Sequence, residues 1–174
     1  MDDAADRELM QRIAKGDASA LERLYLVHRD GIARFLQRMG ADSADIEDIV
    51  QEVFLNVWRA ASRWEPKARV RTYLFTIARN AYLTHLRRAK PRELPPEPAA
   101  ADPPTAAERE DDAAVVRRAL ETLDPDDRAI IAMVLEHGMS HAEAAQVLRM
   151  PVGTLKSRIH RAVARMREAM KHGR

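Results

Sequence analysis

Six prolines, Pro91, Pro95, Pro96, Pro98, Pro103 and Pro104, fall within residues 91–112 among alanines and acidic residues. Proline fixes φ, lacks an N–H and biases its predecessor towards extended backbone, so no helix can run through this stretch. It predicts a semi-stiff, solvated spacer that divides the chain into two small domains, 1–90 and 113–174.

On both sides of the spacer the apolar period is helical. Leu9 and Ile13, then Leu21, Leu24, Tyr25, His28, Ile32, Phe35, Leu36 and Met39, recur at steps of three and four, with no sustained alternation. An all-α protein is expected. Gly16 with Asp17 separates the first two helices, Gly40 ends the second, and Asp42 or Ser43 is placed to accept the N–H bonds that open the third. A fourth helix is expected from about Val70 to Lys90, after an irregular, basic and aromatic stretch from Ser62 to Arg69. In the C-terminal half, Asp124 caps a helix with Pro125 at its first position and Gly138 at its end. Ser140-His141-Ala142-Glu143 is a capping-box pattern for a short helix to about Leu148, and Pro151 opens the last one.

The last two helices, joined by a turn at Arg149 to Pro151, have the form of a helix-turn-helix. Leu155, Ile159, Ala162 and Met166 make a packing stripe on the final helix. Thr154, Lys156, Ser157, His160 and Arg161 point elsewhere, and Arg158 flanks the core edge. From Lys156 onward seven basic residues face one acid, Glu168, although the formal net charge of the whole chain is only +2. That segregation favours a DNA-binding face; a plain solvated basic helix is the alternative.

The helix around Asp45–Arg59 carries a core stripe of Ile46, Ile49, Val50, Val53 and Val57. Asp45, Asp48, Glu52, Asn56 and Arg59 cluster on another side with Leu55 among them. Periodicity leaves two readings of this side open, a docking surface or an ordinary solvated face.

The segment Asp45-x-x-Asp48-Ile49-Val50-Gln51-Glu52-Val53-Phe54 resembles the core-polymerase-binding segment of the extracytoplasmic-function sigma factors, the small group IV members of the sigma-70 family. Val70 to Asn80 is similar to the segment that in this family reads and opens the −10 promoter element. Leu123 to Arg128, and Met139 to Ala145 through Pro151 to Ala162, resemble its −35-reading domain, in the same order and spacing. The resemblance implies sigma region 2 before the spacer, region 4 after it, and a subunit that docks on core RNA polymerase and selects promoters.

Carried over residue by residue, it makes Asp48, Gln51 and Glu52 contacts for the clamp helices of the polymerase β′ subunit, with Asp45, Leu55 and Asn56 beside them. The β subunit is an expected second contact. Arg63, Trp64, Lys67 and Arg69, with Arg71, Thr76, Asn80, Thr84 and Arg87, become the −10 surface: cations on phosphates, polar groups on bases, and Trp64 as the wall for an unstacked base. A plain core tryptophan at 64 and a buried amide at Asn80 are the structural alternatives. Thr154, Lys156, Ser157, Arg158, His160 and Arg161 become −35 readers, with Arg165 on the DNA backbone. His160 stands where the family often has a larger or aromatic side chain, so no −35 consensus is carried across. An anti-sigma partner is also implied.

Composition bears on what remains. No cysteine is present, which removes thiol catalysis and thiolate metal sites and fits a reducing compartment, so a cytoplasmic home is expected. The start, Met1 to Asp6, is acidic and no apolar run approaches the roughly 20 residues of a membrane span, so no signal peptide or membrane insertion is expected. Without a glycine-rich phosphate loop or a metal-ligand His spacing, no catalytic residue, metal or cofactor is expected. A stand-alone helix-turn-helix regulator would explain the C-terminal half, but it leaves the Asp48-Gln51-Glu52 face and the basic aromatic loop without purpose.

Overall fold

The computed structural model describes residues 3–88 and 112–172. The residues from 89 to 111, with almost all of the proline-rich spacer, lie outside the described residues, as does Arg174. Every regular element among the described residues is helical. Helices α1 (Asp3–Ala14), α2 (Ala18–Arg38), α3 (Ser43–Ala60) and α4 (Val70–Arg88) precede the spacer. Helices α5 (Asp112–Glu121), α6 (Pro125–Ile131), α7 (His141–Leu148) and α8 (Val152–His172) follow it.

Local chemistry sets most of these boundaries as the sequence predicts. Asp17 accepts hydrogen bonds from the N–H groups of Ser19 and Ala20 to open α2. Gly16 and Gly40 adopt positive φ (86° and 92°) at the ends of α1 and α2, where a Cβ would be strained. Asp124 receives the Asp127 N–H with Pro125 following, and Ser140 and Glu143 complete the capping box of α7.

Three features differ from the sequence expectation. Asp42 holds the N-cap position of α3 but makes no side-chain cap bond; its backbone carbonyl receives the Asp45 and Ile46 N–H groups instead. The helix expected up to Gly138 widens after Ile131 into a single π turn, Ala132–Glu136. Helix α5 was not anticipated at all, because its start merges with the alanine-rich end of the spacer.

The two helical halves do not close separate cores. Phe35, Ile49, Val53, Leu74 and Phe75 from the first half join Ile130, Met133, Ala144, Val147 and Leu155 from the second in one buried cluster. A smaller cluster of Leu120, Leu123, Ile131 and Ala162 ties α5 and α6 to α8. Helix α4 is the shared element, packed against α1, α2, α3 and α7. Polar contacts fix its N-terminal end: the Asp3 carboxylate accepts the Val70 N–H at 3.0 Å. In α1 and α2, buried Asp6 and His28 meet at 2.9 Å.

Across the seam between halves, the His137 ring sits edge-on to Phe75, with centroids 4.8 Å apart. Arg71 donates to the carbonyls of His137 and Gly138, Thr72 donates to Glu143 at 3.3 Å, and Arg38 pairs with Glu136 at 2.9 Å. Burial pushes the His137 imidazole below its ordinary value; Glu136 opposes that, while Arg34 and Arg71 reinforce it.

A base whose folded pKa is depressed resists protonation when packed, so acid favours the state that exposes it. The seam is therefore at full strength above the ordinary imidazole value of roughly 6.5 and weakens as pH falls below it towards the folded value. Amide exchange in α4 and α7, corrected for intrinsic rates, is expected to accelerate between about pH 7.5 and 5.5, and a His137→Leu chain should lose most of that pH dependence.

Candidate nucleic-acid interface and docking face

Helix α3 turns its core stripe of Ile49, Val50, Val53 and Val57 inward together with Phe54. Steps of three and four from Asp48 then place Gln51, Glu52 and Leu55 on one outward strip. Asp48 and Gln51 are exposed, and Leu55 is 51% exposed. Glu52 and Asn56 are half-buried. The strip does not end at Leu55: Trp58, one turn further, is 38% exposed. The core periodicity of α3 does not single out this tryptophan. Its position, three residues after the exposed leucine, was the available signal. Two acids of α3 face α4: Asp45 lies 3.1 Å from His85 and Glu52 3.9 Å from Arg88.

The basic loop before α4 is split by the fold. Arg63 and Lys67 are exposed, with Lys67 2.6 Å from Glu65. Trp64 is neither fully buried nor free. It packs on the core, lies 6.4 Å from the Tyr73 ring at an interplanar angle of 53°, and stays half-buried. Tyr73, a second aromatic beside it, was missed in the sequence.

Arg69 lies 3.5 Å from Glu143 of α7, and Arg71 is bonded to the carbonyls at Gly138 as above. Two of the predicted −10 residues are thus engaged by the C-terminal half. Thr76 turns its hydroxyl back to the Thr72 carbonyl at 2.8 Å. Further along α4, Asn80, Thr84 and Arg87 are brought together in a groove of about 560 Å³ that also takes in Arg79 and, from the other half, Arg149. Arg87 is held there by the Leu83 carbonyl and the Thr84 hydroxyl. Asn80 is half-buried at this groove, not sealed in the core.

On α8, Leu155 and Ala162 are fully buried, while Ile159 and Met166 are half-buried. This leaves Thr154, Lys156, Ser157, His160, Arg161 and Arg165 on the open side. Arg149, in left-handed backbone at φ 53°, forms the turn between α7 and α8. Ser157 donates to the Gly153 carbonyl at 3.1 Å, which orients its hydroxyl.

Arg158, an expected −35 contact, is engaged within the fold. Its guanidinium is shared among Asp127 at 2.6 Å, Asp124 at 3.0 Å and Asp126 at 3.4 Å. The cluster forms because the acidic first turn of α6 faces α8 across the helix crossing. Burial draws the Arg158 pKa down, but hydrogen bonding and the charge of Asp127, with Asp124 and Asp126, outweigh it and hold the group above its ordinary value. A guanidinium so engaged ties α8 to α6.

Among the described residues, no group of three or more His, Cys, Asp or Glu side chains is arranged to hold a metal. No described helix is long and apolar enough to cross a membrane.

Residues 24–92 match the family model for Sigma-70 region 2 and residues 113–166 match that for Sigma-70, region 4. The ECF RNA polymerase sigma factor RpoE of Cereibacter sphaeroides is 32% identical over 161 residues, 88% of each chain. Two solved structures share the arrangement. CnrH in complex with the cytosolic domain of CnrY is 28% identical with a TM-score of 0.71, covering 97% of this chain and 98% of that one. The sigma factor RpoE in complex with the anti-sigma factor NepR, from Bartonella quintana, is 26% identical with a TM-score of 0.68, covering 88% and 98%. A helical region 2 module followed by a helix-turn-helix region 4 module, matched in this order, defines a promoter-recognition subunit of RNA polymerase. The chain belongs to the sigma-70 family and, within it, to the ECF sigma factors. It is an initiation factor that directs polymerase to promoters, and its family is one of transcription factors and not enzymes.

The geometry separates two roles on α8. Arg158→Ala is expected to lower unfolding stability by about 2 kcal/mol, below the full cost of breaking a buried pair because the group is partly exposed. Arg158→Lys should recover part of the loss. Lys156→Ala should leave the denaturation midpoint unchanged while weakening binding to promoter DNA.

Proposed function

We propose that residues 1–90 form the polymerase-docking and −10-reading domain, residues 113–174 the −35-reading domain, and residues 91–112 the connector between them. The outward strip of α3 docks on the β′ clamp helices through Asp48, Gln51 and Glu52, with Leu55 and Trp58 as desolvated anchors and Asp45 and Asn56 at its margin. Acidic groups set orientation and encounter rate, and the apolar pair supplies affinity. The observation that carries this reading is that strip itself: Asp48, Gln51, Leu55 and Trp58 left exposed on a helix whose other side is packed in the core.

The −10 surface combines Arg63, Trp64, Lys67 and Arg69 with Arg71, Thr76, Asn80, Thr84 and Arg87, to which Tyr73 and Arg79 are added. A base leaving the stack is received against the open part of Trp64, while the arginines hold phosphates. The −35 face comprises Thr154, Lys156, Ser157, His160 and Arg161, with Arg165 on phosphate; Arg158 positions the helix. The β subunit is a second contact. The chain works in the cytoplasm, with no catalytic residue or cofactor of its own.

Engagement of Arg69 and Arg71 by the C-terminal half implies a cycle of opening. Positions −10 and −35 are about 25 base pairs apart, roughly 80 Å of duplex at 3.4 Å per step. A compact chain of this length is only about 40 Å across. The two halves must separate to read both elements together, and a connector of this length can extend to about 70 Å. An anti-sigma partner acts by holding the closed arrangement, as a ligand that binds one state draws the population towards it.

Run-off transcription by core polymerase over a promoter library tests the docking strip. Selective products are expected with this chain and should fall at least tenfold in Asp48→Ala/Glu52→Ala, and again in Leu55→Ala/Trp58→Ala. Unchanged products from both folded variants would move docking off α3.

A further inference from the structure

A second cavity lies on the seam, away from every surface used above. Helix α2 contributes Arg34, Gln37 and Arg38, α5 contributes Arg117 and Glu121, and α6 contributes Arg128, around about 360 Å³. That is within the size range of small-ligand pockets.

Four guanidinium groups here face a single carboxylate. Arg38 is engaged by Glu136 at 2.9 Å. Arg34, Arg117 and Arg128 make no ion pair among the described residues, and the Nε of Arg128 is buried without a hydrogen-bond partner. Like charges gathered from three helices repel one another, and a buried N–H left unbonded is costly. Neither the packing of α2 on α6 nor the promoter surfaces call for this arrangement. An anion with several acceptor oxygens meets both needs, because guanidinium forks bind phosphate oxygens in pairs.

We propose that this cavity is a binding site for a small oligophosphate, of the kind presented by pyrophosphate or by the phosphate chain of a nucleotide. Arg34, Arg117 and Arg128 hold the phosphates. Gln37 and Glu121 flank them as a donor and acceptor pair and as the limit on negative charge. Because α2 belongs to the half before the spacer and α5 and α6 to the half after it, a bound oligophosphate bridges the two and favours the closed arrangement. The site is thus an input through which a small anion restrains opening.

The test is calorimetric titration of the full chain with inorganic pyrophosphate at constant ionic strength, with sulfate and orthophosphate as comparison anions. One saturable site is expected, at least tenfold tighter for pyrophosphate than for sulfate. Arg34→Ala and Arg117→Ala should each weaken it at least tenfold without moving the melting temperature of the unliganded chain. Arg149→Ala, which removes an equal charge from the other cavity, should leave the affinity unchanged. Absence of a saturable site, equal affinity for sulfate, retention of affinity in Arg34→Ala and Arg117→Ala, or an equal loss in Arg149→Ala would overturn the proposal. Since no polymerase or promoter is present, that outcome would not bear on the promoter-directing role, nor would a failed transcription assay bear on this site.

Discussion

The packing of α4 is the constraint on which the rest depends. Its buried residues, Val70, Thr72, Leu74, Phe75, Ala78, Ala81 and Tyr82, form one broad face, six of them within an arc of about 140° and Thr72 beyond it, and a face that wide needs more than one covering helix. Helices α2 and α3 pack on α4 from the first half and α7 from the second. The cover from α7 comes from the far side of a proline-rich connector. Small side chains make this possible: Ala78, Ala144 and Ala145 are buried at 0%, 0% and 3% exposure, which lets helices approach closely without voids.

This dual covering bears on the proposed −10 surface. Arg69 and Arg71, which that proposal offers to DNA, here hold Glu143 and the carbonyls of His137 and Gly138 of the C-terminal half, and Thr72 donates to Glu143. The polar contacts at the seam are few and partly exposed, and exposed ion pairs contribute little each. Most of the stability of the seam therefore comes from apolar contact around Phe75, Met133 and Met139.

Much of this was legible from local chemistry. Asp17, Asp124 and the Ser140–Glu143 box are short-range hydrogen-bonding devices that act through their own backbone, so their residue types suffice to place helix starts. The outward strip of α3 and the basic face of α8 were likewise readable from steps of three and four. Arg158 shows where that reading stops. By periodicity it sits at the edge of the recognition face, and nothing nearby in sequence reveals the three carboxylates of the α6 first turn, some thirty residues away. The same holds for Trp64, whose half-burial depends on Tyr73 and the packing of η-type turn residues Ala61–Arg63 against α1, and for α5, whose pattern was masked by the alanines before it.

The sequence by itself determined the helical class, the division by prolines, the helix-turn-helix and the order of segments that mark the family, because each rests on periodicity, capping or spacing within one stretch of chain. Tertiary structure alone decided that the two halves share a core, that Arg158 meets three carboxylates of α6, that Arg69 and Arg71 are held across the seam, and that four arginines from three helices surround one cavity. Those outcomes depend on side chains far apart in sequence meeting across helix crossings, and no local pattern encodes the angle or register at which two helices cross.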